Sequence, residues 1–344
     1  MASRTVIGID THIVNCNYFC IEKRTGEILG VGEFATNATN FIKAVTQFPE
    51  PRVVIVEQGS LSGWIERILE KYVEEVVVAD TKRNSWIAKD PGKNDLIDGE
   101  KLAHLYMGGY IKRIVSRSKE KEELISLVIH YHSLVRQTTR SKNQIGAKFR
   151  QVGERRRGVR AYREEKIKED LKCLWHNKGL QIGVRNYHAQ LKVVEKQIEG
   201  VTRRIQKLSC RYPEISYLKN FPGIGFVGSS TLSALIDIPE RFSTIKQLWI
   251  YCGYGLDQQS SGGSFKRPRV TKRGNRYLNN IIKTAVHNII IRCKDDNVYK
   301  AWYNEKIRQG KDPKKARVNM ARKLIKDIWL GWKALNRSEL KQAA

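Results

Sequence analysis

The chain has 344 residues, with 63 Lys and Arg against 35 Asp and Glu, a formal net charge of +28. No apolar run approaches the ~20 residues of a spanning helix, and the N-terminus lacks a signal peptide's basic-then-apolar layout, so a soluble intracellular protein without a membrane partner is expected. Six cysteines (Cys16, Cys20, Cys173, Cys210, Cys252, Cys293) show neither paired C-x-x-C spacing nor a nearby His pair; this argues against a zinc module and a disulfide framework.

The charge is unevenly spread. Residues 1 to 115 hold 14 Lys/Arg and 15 Asp/Glu, which leaves 49 and 20 for residues 116 to 344. A near-neutral segment is joined to a very basic one. A surplus of that size, spread over helical and aromatic-containing stretches, is the electrostatic footprint of a chain that neutralises many phosphates.

Three β-rich runs come first, at 4 to 10, 13 to 22 and 26 to 34, with Thr25-Gly26 as the last turn; short connections predict an antiparallel meander. The rhythm then alternates. The pattern predicts a helix near 38 to 48 entered through Asn37 or Thr39, a strand at 52 to 57, a helix at 61 to 73 capped by Ser60 or Ser62, a strand at 75 to 80 and a helix from about 94 to 107. Three antiparallel strands followed by αβαβα is the layout of an RNase H-like sheet, in which the first and fourth strands are neighbours.

Asp10 ends the run Thr5-Val-Ile-Gly-Ile-Asp10, and Glu57 ends Val53-Val-Ile-Val-Glu57. A charge at the end of a buried strand is costly unless it is paired or binds a cation. Asp95 and Asp98, three apart, share one helix face near its N-terminal end. Asp95 taken alone is a cap or a helix-dipole partner. Taken together, Asp10, Glu57, Asp95 and Asp98 read as a site for Mg²⁺, with Mn²⁺ as the alternative cation, because Mg²⁺ prefers a few carboxylates plus phosphate oxygens to a closed cage. Lys93, Lys101 and His104 are phosphate contacts or, more simply, a solvated helix face.

Past residue 115 the stretches 117 to 152 and 181 to 210 are charge-laced with apolar residues at helical spacing. The second, Tyr187, Leu191, Val194, Ile198, Val201, Ile205 and Leu208, is close to a heptad seam, which predicts an antiparallel helical pair or a coiled coil between subunits. Between them Arg155, Arg156, Arg157, Arg160 and Arg163 fall in a segment expected to be loop-like or to order on contact with nucleic acid. Next, Phe221-Pro-Gly-Ile-Gly225 between two apolar helices is a helix-hairpin-helix signal, in which Gly223 and Gly225 let a tight turn expose backbone N–H groups to a phosphate; a plain interhelical turn is the simpler alternative.

Gly253 to Ser264 is a polar glycine- and serine-rich loop, followed by Lys266, Arg267, Arg269, Lys272 and Arg273 and by Gly274-Asn275-Arg276-Tyr-Leu278, which opens a helix. A serine held among cations and N–H donors is placed to attack phosphorus, because the pentacoordinate transition state gathers negative charge on its non-bridging oxygens. No local His/Asp relay is visible to activate it. Carboxylates from the first domain would have to serve.

Asp10, the Val-Glu57-Gln-Gly-Ser block, Asn94-Asp95-Leu-Ile-Asp98 followed by Lys101-Leu-Ala, Pro222-Gly-Ile-Gly225, and Ser261-Gly262 ahead of Lys272-Arg-Gly-Asn-Arg-Tyr-Leu278 occur in an order that resembles the IS-one-ten insertion-sequence transposases and the related Piv-type invertases. The resemblance covers nearly the whole chain. It implies a RuvC-like α/β domain with an Asp-Glu-Asp-Asp set over 1 to 115, a helical coiled-coil connector over 116 to 211, and a mostly α C-terminal domain over 212 to 344 with a helix-hairpin-helix-like element. It also implies an RNA-guided DNA recombinase that uses Mg²⁺ and cleaves through a covalent phosphoserine. Asp10, Glu57, Asp95 and Asp98 would be the acidic set and Ser261 the serine. Gly223, Gly225, Lys266, Arg267, Arg269, Lys272, Arg273, Asn275 and Arg276 would contact nucleic acid. The implied partners are double-stranded target and donor DNA, a non-coding bridge RNA and further copies of the chain, as a dimer assembling to a tetramer in a bacterial or archaeal cytoplasm at the nucleoid. The family's Gly-Leu-x-Pro before the serine is Gly-Tyr-Gly-Leu here, and Ser260 adjoins Ser261, so the neighbouring hydroxyl is the alternative nucleophile.

Two other readings compete: a metal-dependent, structure-specific (Holliday-junction-type) endonuclease that uses water, and a basic scaffold without catalysis whose acidic residues are caps. The last does not explain charges at the ends of two buried strands.

Overall fold

The computed structural model describes residues 4–80, 95–114, 119–156, 158–257, 260–261, 264–265, 269–270 and 274–343, with the backbone alone at 95–97, 119, 257, 260–261, 264–265, 269 and 339–343. The chain divides into two compact units, Met1–Ser116 and Arg117–Ala344.

The first unit runs β1 (Thr5–Thr11), β2 (Asn15–Glu22), β3 (Ile28–Ala35), α1 (Ala38–Thr46), β4 (Arg52–Glu57), α2 (Ser62–Leu69), β5 (Glu75–Ala79) and α3 (Asp95–Met107). Its sheet has the order β3-β2-β1-β4-β5. The first three strands are antiparallel, and β1 pairs with β4 and β4 with β5 in parallel, so the first and fourth strands are neighbours as expected. Runs such as Val53-Val-Ile-Val lack polar alternation because both faces of the central strands are covered. On one face Ile7, Ile9, Val54 and Val56 meet Phe41 and Val45 of α1 and Ile65 and Leu69 of α2. On the other, Val6, Phe19, Val53 and Ile55 meet Leu102 and Ala103 of α3. Val6, Ile7, Ile9 and Val53 to Val56 are 0 to 1% exposed; at roughly 1.5–3 kcal/mol for each fully buried side chain, their burial outweighs the several kcal/mol that a carboxylate held at a strand end costs.

Helix ends show where local sequence rules hold and where they yield. Asn37 caps α1, its side chain accepting from the Asn40 N–H at 2.9 Å. For α2 the expected serine cap is absent: the N-cap is Leu61, with no side-chain bond, and the Ser62 hydroxyl donates back to the Gly59 carbonyl at 2.9 Å, closing the preceding turn. The helix also stops at Leu69 rather than near 73. Buried Arg52 explains the stop, since its guanidinium donates to the carbonyls of Phe48 (2.6 Å), Tyr72 (3.0 Å) and Thr46 (3.3 Å) and so satisfies the chain leaving both α1 and α2.

The second unit begins with α4 (Glu122–Arg150) and, after a 3-10 turn at Val159–Tyr162, α5 (Glu164–Asp170) and a second 3-10 turn at Leu171–Leu174, returns as α6 (Lys178–Ser209). The α4–α6 pair is antiparallel within one chain: Arg204 reaches Glu123 at one end and Lys142 reaches Glu195 further along. Its tip holds a small core of Phe149, Ile167, Leu171, Leu174 and Leu180. The arginine-rich segment is loop-like, as expected: Arg155 and Arg156 lie in irregular chain, Arg160 sits in the short 3-10 turn and Arg163 in a bend, while Ile167 and Leu171 of the following elements supply the apolar side chains of the tip core. Then follow α7 (Pro213–Lys219), α8 (Phe226–Ile236), α9 (Ile245–Tyr251), the short strands β6 (Leu256–Asp257), β7 (Ser260–Ser261), β8 (Ser264–Phe265) and β9 (Arg269–Val270), and helices α10 (Arg276–Arg292), α11 (Val298–Arg308) and α12 (Pro313–Ala343). Residues Gly228 to Ile236 of α8 are all buried, with Leu278, Ile282, Leu324 and Trp332 among its surroundings. No helix among the described residues is long and apolar enough to cross a membrane, and all six cysteines are free thiols.

Candidate functional site

In the first unit the parallel register Ile9↔Val56 carries on to set Asp10 beside Glu57 at the ends of adjacent strands, which lie ~4.8 Å apart. Strand alternation puts both on the face of Val6, Val53 and Ile55, the face that α3 covers. What brings α3 so close is glycine. A Cβ at Gly8 would collide with the Gly99 carbonyl oxygen and stand 2.9 Å from the Ala103 nitrogen, and a Cβ at Gly99 would lie 3.1 Å from the Gly8 carbonyl oxygen and 3.6 Å from that of Asn17. Asn17 is the cross-strand partner of Asp10. Asp98, one residue before Gly99, therefore belongs to the helical turn lying over the Asp10–Asn17 pair, and Asp95 opens the same helix one turn earlier.

Asp10 is 7% exposed, and its Oδ2 lies 3.0 Å from Nε2 of His12, a half-exposed ring. The Asp10-Thr11-His12 spacing, with His12 just past the end of β1, is the signal that sequence reasoning passed over. Lys101 stands 3.7 Å from Asp98, and His104 stands 3.7 Å from Glu100 with its ring 5.8 Å from that of Phe19. Lys93 lies outside the described residues.

Asp10, Glu57 and Asp98 offer hard oxygen donors, the type Mg²⁺ takes. Among the described residues no three His, Cys, Asp or Glu side chains gather closely enough to hold a metal ion by themselves. Donors of this kind serve Mg²⁺ alongside water and phosphate oxygens, which is the chemistry the set would offer.

In the second unit the Pro222-Gly223 turn joins α7 to α8, with Gly225 as the N-cap of α8. The serine-rich segment is not a plain loop. Leu256 and Asp257 pair with Val270 and Arg269, and Ser260 and Ser261 pair with Phe265 and Ser264, so its described residues form two short antiparallel ladders, together called the ribbon. Lys266, Arg267, Lys272 and Arg273 lie outside the described residues.

The ribbon leaves and re-enters the helical body at one clasp. Gly253 (φ 77°) and Gly274 (φ 145°) both adopt left-handed backbone, and a Cβ at Gly274 would come within 2.6 Å of the Gly253 nitrogen. The Asn279 amide donates to the carbonyls of Cys252 (3.1 Å) and Gly253 (3.4 Å), the Asn275 N–H to Tyr251 O (2.7 Å), and Arg322 Nε to Tyr254 O (2.8 Å). Asn279 and Arg322 were invisible as site residues in the sequence, because their role depends on carbonyls 26 to 68 residues away. Asn275, expected to contact nucleic acid, spends its side-chain oxygen capping α10, accepting from the N–H groups of Tyr277 (2.9 Å) and Leu278 (3.3 Å).

Arg276 is exposed, its guanidinium 5.0 Å from the Tyr277 ring centre. That ring stacks on His132 at 5.1 Å, and His132 shares a hydrogen bond with the Thr231 hydroxyl at 3.0 Å. The first turn of α10 is thus anchored to α4 and α8. Burial, helped by the charge of Arg136, holds His132 below the usual histidine range.

Residues 215–303, from α7 into α11 and including the ribbon, match the model of the transposase IS116/IS110/IS902 family. Over 334 residues the chain is 20% identical to the transposase for insertion sequence element IS1111A of Coxiella burnetii, covering 90% of this chain and 87% of that protein. It is also 20% identical over 284 residues to the transposase for insertion sequence element IS1328 of Yersinia enterocolitica, covering 82% and 83% respectively.

Proposed function

Since the chain belongs to the IS116/IS110/IS902 family of insertion-sequence transposases, we propose that it cuts and rejoins DNA through a phosphoserine on Ser261, with Asp10, Glu57, Asp95 and Asp98 as the acidic set of a RuvC-like sheet. The observation that carries this reading is a placement: strand register sets Asp10 beside Glu57, and the Gly8–Gly99 approach lays the turn of α3 that carries Asp98 over the Asp10–Asn17 pair. Like charges placed so close repel unless a cation joins them.

Asp10, Glu57 and Asp98 would hold Mg²⁺, with Asp95 from the first turn of α3. When bound, the ion neutralises the charge that builds on the phosphate oxygens. The Ser261 hydroxyl attacks phosphorus: an Oγ–P bond forms, one P–O bond to a sugar breaks, the serine proton leaves to water or a nearby base, and the departing sugar oxygen takes up a proton. Attack by a sugar hydroxyl of another strand reverses this, freeing the serine and restoring a diester without outside energy. The ribbon's clasp serves by fixing where that hydroxyl stands. Gly223, Gly225, Arg269, Arg276 and the cations 266, 267, 272 and 273 contact the phosphodiester backbone. The bridge RNA, the two DNA partners and a tetramer built from dimers complete the proposal.

Ser261→Ala tested on suicide DNA substrates decides the chemistry. The expected result is loss of the denaturation-resistant protein–DNA adduct, with Ser260→Ala retaining it. An adduct that persists in Ser261→Ala removes that serine as nucleophile. Nicked products with free ends and no adduct from the unaltered protein would instead establish the water-using endonuclease.

A further inference from the structure

The tip of the α4–α6 hairpin carries cations that its own fold does not use. Arg156 is inside: its guanidinium lies 3.7 Å over the Phe149 ring, pairs with Asp170 at 2.6 Å and donates to the Ala161 carbonyl. It is a strut, and it walls an open cavity of about 1080 Å³ between the 154–163 turn and α5. Lys166 is likewise committed, to Glu169 and Asp170. Arg155, Arg160, Arg163 and Lys172, which also line the cavity, are exposed and make no ion pair among the described residues. They outnumber the two carboxylates there in the same condition, Glu154 and Glu165.

Directly after the 3-10 turn that contributes Lys172 stands Trp175, 79% exposed, with the His176 ring edge-on at 5.9 Å. The turn is held, since Gln181 donates to the carbonyl of Leu174 at 3.2 Å and Leu174 itself is fully buried in the tip core. A fixed, solvent-facing indole forgoes the ~1.5–3 kcal/mol that burying a large apolar side chain brings, so folding does not explain its placement. An indole face beside spare guanidinium groups is what an unpaired base and its flanking phosphates require. A duplex keeps its bases stacked inside; RNA loops and bulges splay them out.

We infer that the hairpin tip is a binding site for single-stranded RNA, with Trp175 stacking on an unpaired base and Arg155, Arg160, Arg163 and Lys172 contacting the phosphates on either side. The site goes beyond the strand-cleavage reading and does not depend on Ser261.

The test uses the full chain with a labelled single-stranded oligouridine, the same sequence as DNA, and a duplex, comparing the unaltered protein with Trp175→Ala, Trp175→Phe and Arg155→Gln/Arg160→Gln/Arg163→Gln. All four positions are exposed, and helical content by circular dichroism checks that each variant folds. Trp175→Ala should weaken RNA binding at least about fivefold, Trp175→Phe less, and duplex binding should stay within about twofold. The triple variant should lower the slope of log affinity against log salt by about 2, from three phosphates at ~0.7 each. Ultraviolet crosslinking of 5-iodouridine RNA should label the peptide containing Trp175. Labelling confined to other segments, or an equal loss of duplex binding in Trp175→Ala, overturns the site; loss for the DNA oligomer with RNA untouched overturns its assignment to RNA. Strand cleavage measured in the same variants keeps this outcome separate from that of Ser261→Ala.

Discussion

Each unit buries a carboxylate, and the two are held in opposite ways. Glu214, in α7, is met by Lys121 at 2.6 Å and by the Ser233 hydroxyl at 2.6 Å; Lys121 also donates to the Asp237 carbonyl and lies over the rings of Tyr212 and Trp332. That charge is saturated, and it pins α4 to α7, α8 and α12. Asp10 stands at a strand end against a half-exposed histidine, with Glu57 beside it and the Asp98 turn above. Burial alone thus does not mark a site. The proposed site rests instead on acidic residues brought to neighbouring strand ends.

The sharpest way to break the comparison is Lys121→Ala, which strands Glu214 and should cost about 3–5 kcal/mol, read as a lower melting temperature of the helical unit; pairing Lys121→Met with Glu214→Leu should recover most of it. If the single substitution is silent, the pair is not the staple described. In the sheet unit, Gly8→Ala should cost about 1–3 kcal/mol and push α3 off β1, visible as faster proteolysis between 80 and 107 and as loss of strand cleavage. A Gly8→Ala protein that cuts DNA normally would detach α3 from the site.

Asn279→Ala should cost about 1–2 kcal/mol, because two carbonyls lose their donor. Its effect on adduct formation should be far larger, on the order of 10²-fold, since the ribbon's base is no longer fixed. Equal, small effects on both would show that the clasp does not position the serine. The mildest effect concerns His132. Its folded value is depressed, so its contribution to stability is complete above the ordinary histidine range near ~6.5 and is lost as pH falls below that toward the folded value. His132→Gln should flatten the melting temperature between about pH 7 and 5; an unchanged slope would assign the acid sensitivity elsewhere.

Much of the sheet unit could be read from the chain. Apolar runs ending in Asp10 and Glu57 give strands and their direction, and the order of elements then requires those strands to be neighbours. The approach of α3 could not be read, because Gly8 and Gly99 mean nothing until they face each other across 91 positions. In the helical unit the seam Leu191, Val194, Ile205, Leu208 marks α6, yet the ribbon was hidden: two-residue ladders carry no periodicity, and the surrounding Gly and Asp residues have low strand preference. Asn275 has a structural role that the sequence reading did not name. An asparagine before a helix is a cap before it is anything else, and here its side-chain oxygen serves that end.

The α4–α6 hairpin also has a length, and length is a specification. At ~1.5 Å per residue the 29 residues of α4 span roughly 43 Å, about eight helical turns, so the tip and the root of the arm lie that far apart. Removing seven residues from each arm together would keep the seam in phase and draw the tip in by ~10 Å. Calliper-like, the protein then carries in its own backbone a spacing that any strand gripped at both places must match.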